Sequence, residues 1–375
     1  MRAAQRRSDD GPFDSGTTRF RADVRRFVER ELARRTERWE REGRFPRVAL
    51  AACGRRKYLT LDPARTAVLA EELVRCDSMG VALSIFVQAG LVGPLLRQLA
   101  TEAQRRAYLE PTERGRKVGA LAVSEPQAGS DFAALKCQAR RDRRGLVIDG
   151  EKMFITAAAA ADYFVVAVRL EGTPEADLTL LVVPAAVRGV RVAPLATLGL
   201  TTSAMARITF RRCRVPNDAV LGEAGAGYGY IQDALNRERL YGGIGATAWA
   251  QRAMEKTAGF LRTRRAFGRA LNRFQALRHQ MADMATEIEA ARRLNYATFV
   301  RWTTGEDVTT EIAMVKLFSY RTAQRAIETC LQLHGGLGYM ADHWTSRWYR
   351  DARALTIAAG TPDVMRELIA ARLWL

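Results

Sequence analysis

LAVSEPQAGSD, at Leu121–Asp131, decides how this chain folds, together with GEKMFIT at Gly150–Thr156. The first stretch begins as an apolar strand that must end at Pro126, because proline has no N–H to donate and disfavours helix in the residue before it. Gly129 permits close backbone approach, and Ser130 supplies a hydroxyl group. Such a turn could bind an oxyanion or the polar edge of a ring. The same pattern is also typical of an ordinary exit from a strand into a loop.

Composition narrows the class of protein. The 375 residues, 48% hydrophobic, are enough for two or three globular domains. The net charge of +18 comes almost wholly from arginine, since only six residues are lysine. A bias in codon composition explains this charge as well as a binding function does. Because no recognition motif with interleaved aromatic residues accompanies it, we expect no nucleic-acid binding.

The sequence disfavours a membrane span, a secretory signal, a disulfide framework and a metal site. No uncharged apolar run reaches about 18 residues, so we expect no membrane span. The first residues, MRAAQRRSDD, lack the apolar region of a secretory signal, and the five cysteines are scattered without CxxC spacing. These features favour a cytoplasmic protein with reduced thiols. Three widely separated histidines predict no metal site.

Hydrophobic periodicity divides the chain into three parts. After a polar segment over residues 1–16, predicted to be disordered, apolar residues recur at helical spacing over residues 17–117. Short β-branched runs separated by turn residues follow over 118–224 and predict a small antiparallel sandwich or barrel. Long helical patterns return over 225–375. The predicted helices are 19–40, 64–76, 81–99, 102–109, 228–263, 274–303, 308–333 and 362–374, and the predicted strands include 163–168 and 178–183. The sequence therefore predicts a multidomain α and β fold: an N-terminal helical domain, a central β domain and a C-terminal helical bundle.

Five motifs occur in an order and spacing that are specific in combination: AVSEPQAGSD, GEKMFIT, RRAFG followed by FQ, QLHGGLGY, and YRDAR followed by AGT. With them the chain resembles the acyl-CoA dehydrogenase family from about Arg19 to its C-terminus. The resemblance implies FAD bound between the β domain and the C-terminal helices. It also implies an acyl thioester substrate, carried on CoA or on an acyl carrier protein.

The resemblance assigns cofactor contacts in the central domain residue by residue. Ser124 would bond the pyrimidine edge of the flavin, Ser130 would contact the pyrophosphate, and Thr156 would donate towards flavin N5. Phe154 stands where the family usually has tryptophan over the ring, and it preserves stacking while lacking the indole N–H.

Further cofactor contacts are implied in the C-terminal part. Arg264 matches the arginine that binds the FAD pyrophosphate from a neighbouring subunit, a task that suits the guanidinium fork. This assignment predicts a homo-oligomer, either a dimer or a tetramer. The other residues implied at FAD are Phe267, Gln275, Gln332, Gly335, Gly336 and Thr361. Taken alone, Gly335 and Gly336 also fit a plain helix C-cap and turn.

The catalytic base has moved relative to many family members. Their glutamate lies just before the terminal Gly-Thr, where this chain has Ala359, which cannot accept a proton. The isovaleryl and long-chain branches place the base on a helix directly before an arginine, and Glu238 matches that position. A glutamate flanked by two arginines is also typical of a solvated surface. The substitution of Ala359 together with the presence of Glu238 favours the catalytic interpretation.

The resemblance then implies a mechanism. The Ala359 amide would serve as an oxyanion donor to the thioester carbonyl, Glu238 would remove the α proton, and hydride would pass to flavin N5. Arg239, Tyr241 and Gly242 would line the substrate site, with Gly242 removing bulk in the path of the acyl chain. An electron acceptor such as an electron-transfer flavoprotein would complete turnover.

Alternatives remain open at this stage. Relatives on this fold act as flavin monooxygenases or oxidases, and a catalytically silent scaffold could also retain the fold; Glu238 disfavours the first alternative, and the FAD contacts disfavour the second. Arginine-rich segments at 114–117 and 140–144 could meet CoA phosphates or an acidic carrier protein, or could be solvated loops. The segment after Cys53 runs almost directly into the next helix, so the N-terminal domain looks shortened.

Overall fold

A computed structural model describes residues 15–174 and 177–373 of the chain. It contains an N-terminal group of helices, a central sheet and a C-terminal group of long helices, which confirms the predicted three-part architecture. Of the segment predicted to be disordered, residues 1–14 lie outside the described residues, and the first described helix begins at Ser15.

The N-terminal part consists of short helices, several of them joined by π-helical segments. Helix starts follow ordinary capping chemistry: the Asp62 side chain accepts the Arg65 amide beside Pro63, and Thr101 forms a capping box with Gln104. The helices are α1 (Ser15–Phe27), α2 (Ala33–Glu42), α3 (Arg47–Arg55), α4 (Pro63–Glu72), α5 (Met79–Phe86), α6 (Gly93–Leu99), α7 (Glu102–Gln104) and α8 (Glu110–Glu113). The π-helical segments are Val28–Leu32, Val87–Val92 and Arg105–Leu109.

One helical stretch, Met79–Leu99, is long and apolar enough to cross a membrane by length and composition alone. Within its apolar 18-residue window, 89% is buried inside the protein, as in the core helix of a globular fold. Such a stretch is therefore weak evidence for a membrane span.

The central part is a mixed sheet, whereas a wholly antiparallel one was expected. Its strands are β1 (Gly119–Ala122), β2 (Gln138–Asp142), β3 (Gly145–Ile155), β4 (Tyr163–Leu170), β5 (Thr179–Pro184), β6 (Val190–Pro194), β7 (Ala206–Val215) and β8 (Val220–Leu221). The spatial order is β6-β7-β3-β2-β4-β5-β8, and β1 also pairs with β4. The difference arises at β4, a strand buried along nearly its whole length, which pairs in parallel with both β1 and β2.

This parallel pairing positions the loop between β1 and β2. β1 pairs with the first half of β4, Gly119 opposite Tyr163, while β2 pairs with its end, Ala139 opposite Leu170. Residues 123–137 therefore leave and rejoin one side of a single strand. The SEPQAGSD motif is a projection from the side of the sheet, which exposes Gln127, Ser130 and Asp131 while Glu125 stays buried.

A buried ion pair holds this loop against β3. The Lys152 side chain is fully buried, and its Nζ donates to Glu125 Oε1 and to the Val123 carbonyl, both at 2.8 Å. The Glu125 carboxylate also accepts the Lys136 amide at 2.7 Å and the Cys137 amide at 2.9 Å. Burial opposes ionisation, yet the Lys152 charge and these bonds hold the pKa of Glu125 below its usual range. The loop and β3 are thereby fixed to one another.

The C-terminal part is a bundle of long helices. They are α9 (Gly227–Thr263), α10 (Gln275–Thr303), α11 (Thr309–His334), α12 (Trp344–Leu355) and α13 (Pro362–Leu373). A two-stranded ribbon, β9 (Arg265–Ala266) with β10 (Arg269–Ala270), follows α9. The sequence patterns did not predict α12 or α3. Asp351 joins α12 to the sheet domain, since its Oδ1 accepts the Leu200 amide at 2.6 Å.

Replacing Lys152 by methionine should destabilise the protein by about 3–5 kcal/mol, because the Glu125 carboxylate would stay buried without its counter-charge. Urea unfolding of the purified protein measures the loss. The control is Arg301→Met, which removes an exposed ion pair with Glu306 and should change stability little. If Lys152→Met proved as stable as Arg301→Met, the pair would not hold the loop.

Candidate active site

The two signature motifs lie side by side. The Met153 amide on β3 donates to the Ser124 carbonyl at 2.8 Å, next to the Glu125–Lys152 pair. Ser124 and Thr156 are partly buried, and Ser130 is exposed. The Ser124 and Thr156 hydroxyls predicted to meet the flavin therefore lie on adjoining segments, and Ser130 lies in the same loop as Ser124.

Phe154 presents its ring from an unusual backbone conformation. Its φ is +61°, in the left-handed region that residues other than glycine rarely adopt. Its side chain is 60% exposed. The pairing of β3 with β7 shifts register between Lys152 and Ile155, so Phe154 lies at a bulge. The bulge turns an aromatic face outward beside Thr156, where a planar ring could stack.

Glu238 is a partly buried carboxylate on α9. Among the described residues, none hydrogen-bonds or ion-pairs with it. Burial raises the pKa of Glu238 above its usual range, and the charges of Lys316 and Arg239 oppose the shift. An unengaged carboxylate with a raised pKa has the properties of a general base.

The terminal turn that carries Ala359 contacts Arg239, the residue that follows Glu238 on α9. Arg239 is buried, and its Nε donates to the Ala359 carbonyl at 2.8 Å. Ala359 has a left-handed φ of +57°, and Gly360 follows with φ +111°. Among the described residues no acceptor takes the Ala359 amide hydrogen, so this donor is available. Thr361 Oγ1 accepts the Val364 amide at 3.4 Å and starts α13.

Tyr241 and Gly242 lie differently from what an open acyl path requires. Tyr241 is buried, packs edge-on against Phe86, and donates its hydroxyl to the Pro63 carbonyl at 3.3 Å. A Cβ added at Gly242 would lie 1.8 Å from the Tyr320 hydroxyl. The missing side chain at Gly242 therefore makes room for Tyr320.

The remaining predicted residues form a separate exposed region at the far end of α9. Phe260 of α9 stacks on His334 of α11 with ring centroids 4.3 Å apart, which brings the two helix ends together. Arg264 is exposed and has no side-chain partner among the described residues, and Phe267 is 95% exposed. The exposed residues of this region are Arg264, Phe267, Gln275, Gln332, Gly335 and Gly336.

The donor set suits FAD. Hydroxyls at Ser124, Ser130 and Thr156 offer hydrogen bonds to a polar ring edge and to phosphate, and the exposed Phe154 ring offers a stacking surface. Gly335 has open space where a Cβ would stand, so its backbone is open to close approach. The chemistry of these residues fits the cofactor that the sequence motifs imply.

Two polar residues near Glu238 escaped the sequence interpretation. Lys316 and Tyr320 on α11 both interact electrostatically with the Glu238 carboxylate. The only available signal was a single lysine in the apolar run IAMVKLF, since lysines are seldom fully buried without a partner. The buried partners Glu125 and Lys152 were likewise missed, because their pairing depends on the tertiary fold.

Comparisons with known proteins agree with this arrangement. Models of the N-terminal, middle and C-terminal domains of acyl-CoA dehydrogenase match residues 16–116, 120–213 and 225–374. The mitochondrial short-chain specific acyl-CoA dehydrogenase of Bos taurus is 30% identical, covering 94% of this chain and 89% of its own. The mitochondrial long-chain specific acyl-CoA dehydrogenase of Sus scrofa is 28% identical, over 96% of this chain and 86% of that protein.

Solved structures show the same relationship. The crystal structure of an acyl-CoA dehydrogenase from Geobacillus kaustophilus superposes with a TM-score of 0.93 at 31% identity, covering 97% of this chain and 99% of that one. Domain order, sequence identity and fold agree along nearly the whole length. The chain therefore belongs to the acyl-CoA dehydrogenase family, whose members are FAD-dependent oxidoreductases acting on CH–CH bonds.

Proposed function

We propose that this protein introduces an α,β double bond into an acyl thioester, with Glu238 as the base that removes the α proton. The observation that carries the proposal is the unengaged Glu238 carboxylate, partly buried and one residue from the arginine that binds the Ala359 turn. The absence of a carboxylate at Ala359 supports this assignment, since the turn itself cannot supply a base.

The chain's own residues perform three tasks in this proposal. Burial raises the pKa of Glu238 above its usual range, which makes it a better proton acceptor than a solvated carboxylate. The Ala359 amide donates to the thioester carbonyl and stabilises the charge that develops there. Arg239 holds the turn in the conformation that leaves this amide free. FAD, when bound, supplies the acceptor for the β hydrogen and two electrons.

FAD would be held by two chains. Ser124, Phe154 and Thr156 lie where the SEPQAGSD loop meets β3, Ser130 lies in the same loop, and Thr361 follows the turn bound by Arg239. The far region holds Arg264, Phe267, Gln275, Gln332, Gly335 and Gly336. Arg264 follows Glu238 by 26 residues along one continuous helix, a separation of about 39 Å. A single dinucleotide is too short to span both regions of one chain. We therefore propose a homo-oligomer, dimer or tetramer, in which a neighbour supplies the far region.

The thioester carrier and the electron acceptor complete the proposal. The substrate is an acyl-CoA or an acyl-carrier-protein thioester, and the strongly basic chain suits either the CoA phosphates or an acidic carrier. An electron-transfer flavoprotein would accept the electrons, and the location is cytoplasmic. A flavin monooxygenase or oxidase on this fold is the second candidate, and the available Glu238 carboxylate favours dehydrogenation over it.

Glu238→Gln should bind FAD and thioester normally and lose at least about 10²-fold in turnover, because glutamine cannot accept the α proton. The measurement is bleaching of the flavin spectrum under anaerobic conditions by butanoyl-, octanoyl- and hexadecanoyl-CoA and the corresponding carrier-protein thioesters. The matched control is Glu255→Gln, an exposed glutamate on the same helix. A Glu238→Gln enzyme as fast as Glu255→Gln would remove Glu238 from the mechanism, and wild-type flavin that no thioester bleaches would favour the oxygen-using alternative.

Arg264→Ala should weaken FAD binding about ten- to a hundredfold, because a charged hydrogen bond to the pyrophosphate would be lost. Equilibrium dialysis of the reconstituted protein measures the dissociation constant. Arg262→Ala removes an exposed arginine from the same helix end and should leave that constant unchanged. Equal FAD affinity in the two variants would contradict the shared site.

A further inference from the structure

Lys316 is a buried cation beside the proposed base. It lies on α11 with 3% exposure, and its Nζ donates to the carbonyl of Leu355, the last residue of α12. Carbonyls at a helix C-terminus lack intrahelical partners and favour a nearby positive charge. Lys316 therefore anchors the point where α12 gives way to the turn that carries Ala359.

Tyr320, one turn further along α11, supports the lysine and contacts the helix of the base. The Lys316 Nζ lies 3.6 Å from the centroid of the Tyr320 ring, within the range of a cation–π interaction. The Tyr320 hydroxyl occupies the space left open by Gly242, which lies one turn after Glu238 on α9. Lys316 and Tyr320 thus pack between the base helix and the terminal turn.

A small cavity lies where α11, the terminal turn and α13 meet. It is lined by residues of α11, of the terminal turn and of α13, including Lys316, Tyr320, Thr356 and Gly360. A side chain at Gly360 would collide with Met365, 2.6 Å from its Cβ, and approach Arg239 Nη2 at 3.3 Å. The two cations, Lys316 and Arg239, therefore approach the same turn from opposite helices.

We propose that Lys316 is a positioning residue for the reaction: its buried charge keeps Glu238 ionised and its bond to Leu355 holds the Ala359 turn in register with that base. The inference rests on the proposed role of Glu238 and adds a second group to it.

The electrostatic balance around Glu238 is defined by few groups. Among the described residues, those that act on its charge are Arg239 on its own helix and Lys316 and Tyr320 on α11. Burial lowers the pKa of Lys316 to about 7, and the Glu238 charge opposes this shift. Each charge of the pair therefore depends on the other. Without Lys316, desolvation of Glu238 would be opposed by Arg239 alone, and the protonated carboxyl would persist to higher pH.

The first test is the pH dependence of anaerobic flavin reduction by whichever of butanoyl-, octanoyl- and hexadecanoyl-CoA reduces the wild-type holoenzyme. Glu238 must be ionised to act, so activity rises through its pKa. We expect Lys316→Met and Lys316→Gln to move this acidic limb upward by about one pH unit or more. Lys316→Arg should leave the limb near its wild-type position. The matched control is Lys256→Met, which removes a partly buried lysine near the far end of α9.

Lys316→Gln separates the effect of the charge from that of the hydrogen bond, because glutamine can still donate to the Leu355 carbonyl. It also provides a neutral variant for the pH measurement if Lys316→Met does not fold. An acidic limb that stays at the wild-type position in both neutral variants would overturn the proposal. That outcome is distinct from failure of the proposed function, in which wild-type flavin is not reduced or Glu238→Gln remains active.

A double-mutant cycle in thermal stability tests the same coupling without turnover. Because the folded-state pKa of Glu238 is raised, its ionisation costs stability above the unfolded value of about 4.3 and costs none well below it. Glu238→Gln should therefore raise Tm at pH 7 and raise it much less at pH 4. The gain should be larger in the Lys316→Met or Lys316→Gln background than in wild type. Equal gains in all backgrounds would show that Lys316 does not act on Glu238.

Discussion

The buried pair of Glu125 and Lys152 is the interaction on which the candidate site depends. β1 and β2 share one side of β4, so the loop between them must leave the sheet, and nothing in the strand pairing itself determines where that loop goes. The Lys152 ammonium determines it by binding both the Glu125 carboxylate and the Val123 carbonyl from inside β3. A buried ion pair adds little net stability but strongly disfavours arrangements that separate the charges. Its contribution here is one defined geometry between Ser124, Phe154 and Thr156.

Helix α9 determines how the two halves of the site relate. Its 37 residues run without interruption from the neighbourhood of the β domain to the exposed ribbon that begins beside Arg264. Because the rise per residue is constant, Glu238 and Arg264 lie about 39 Å apart along this helix, farther than one dinucleotide would span. Phe267 is 95% exposed, and Arg264 has no side-chain partner among the described residues. In the proposed homo-oligomer both residues would meet the cofactor of a second copy, so that assembly and cofactor binding would be linked.

Much of the fold could be predicted from local pattern, and the part that could not depends on tertiary contacts. Helical periodicity identified α9, α10 and α11, and β-branched runs identified β4 and β5. The patterns missed α3, which has only nine residues, and α12, where charged residues interrupt the apolar periodicity. They also missed the parallel pairings of β4, which join strands distant in sequence. At the candidate site, the motifs predicted roles for Glu238 and Ala359, and these roles stay predictions. Glu125, Lys152 and Lys316 were missed because a single charged residue in a sequence looks solvated until the fold shows that it is buried and paired.

The loss of a carboxylate at Ala359 leaves the geometry of the terminal turn intact. Ala359 keeps a left-handed backbone, a strained conformation for any residue with a side chain, and the Arg239 bond to its carbonyl offsets that strain. In the proposed mechanism this turn acts through its backbone amide, which does not depend on the side chain. Binding the thioester carbonyl and removing the α proton would then be separable tasks. Glu238 on α9 would supply the base, and the proposed role of Lys316 would keep this helix and the turn in register.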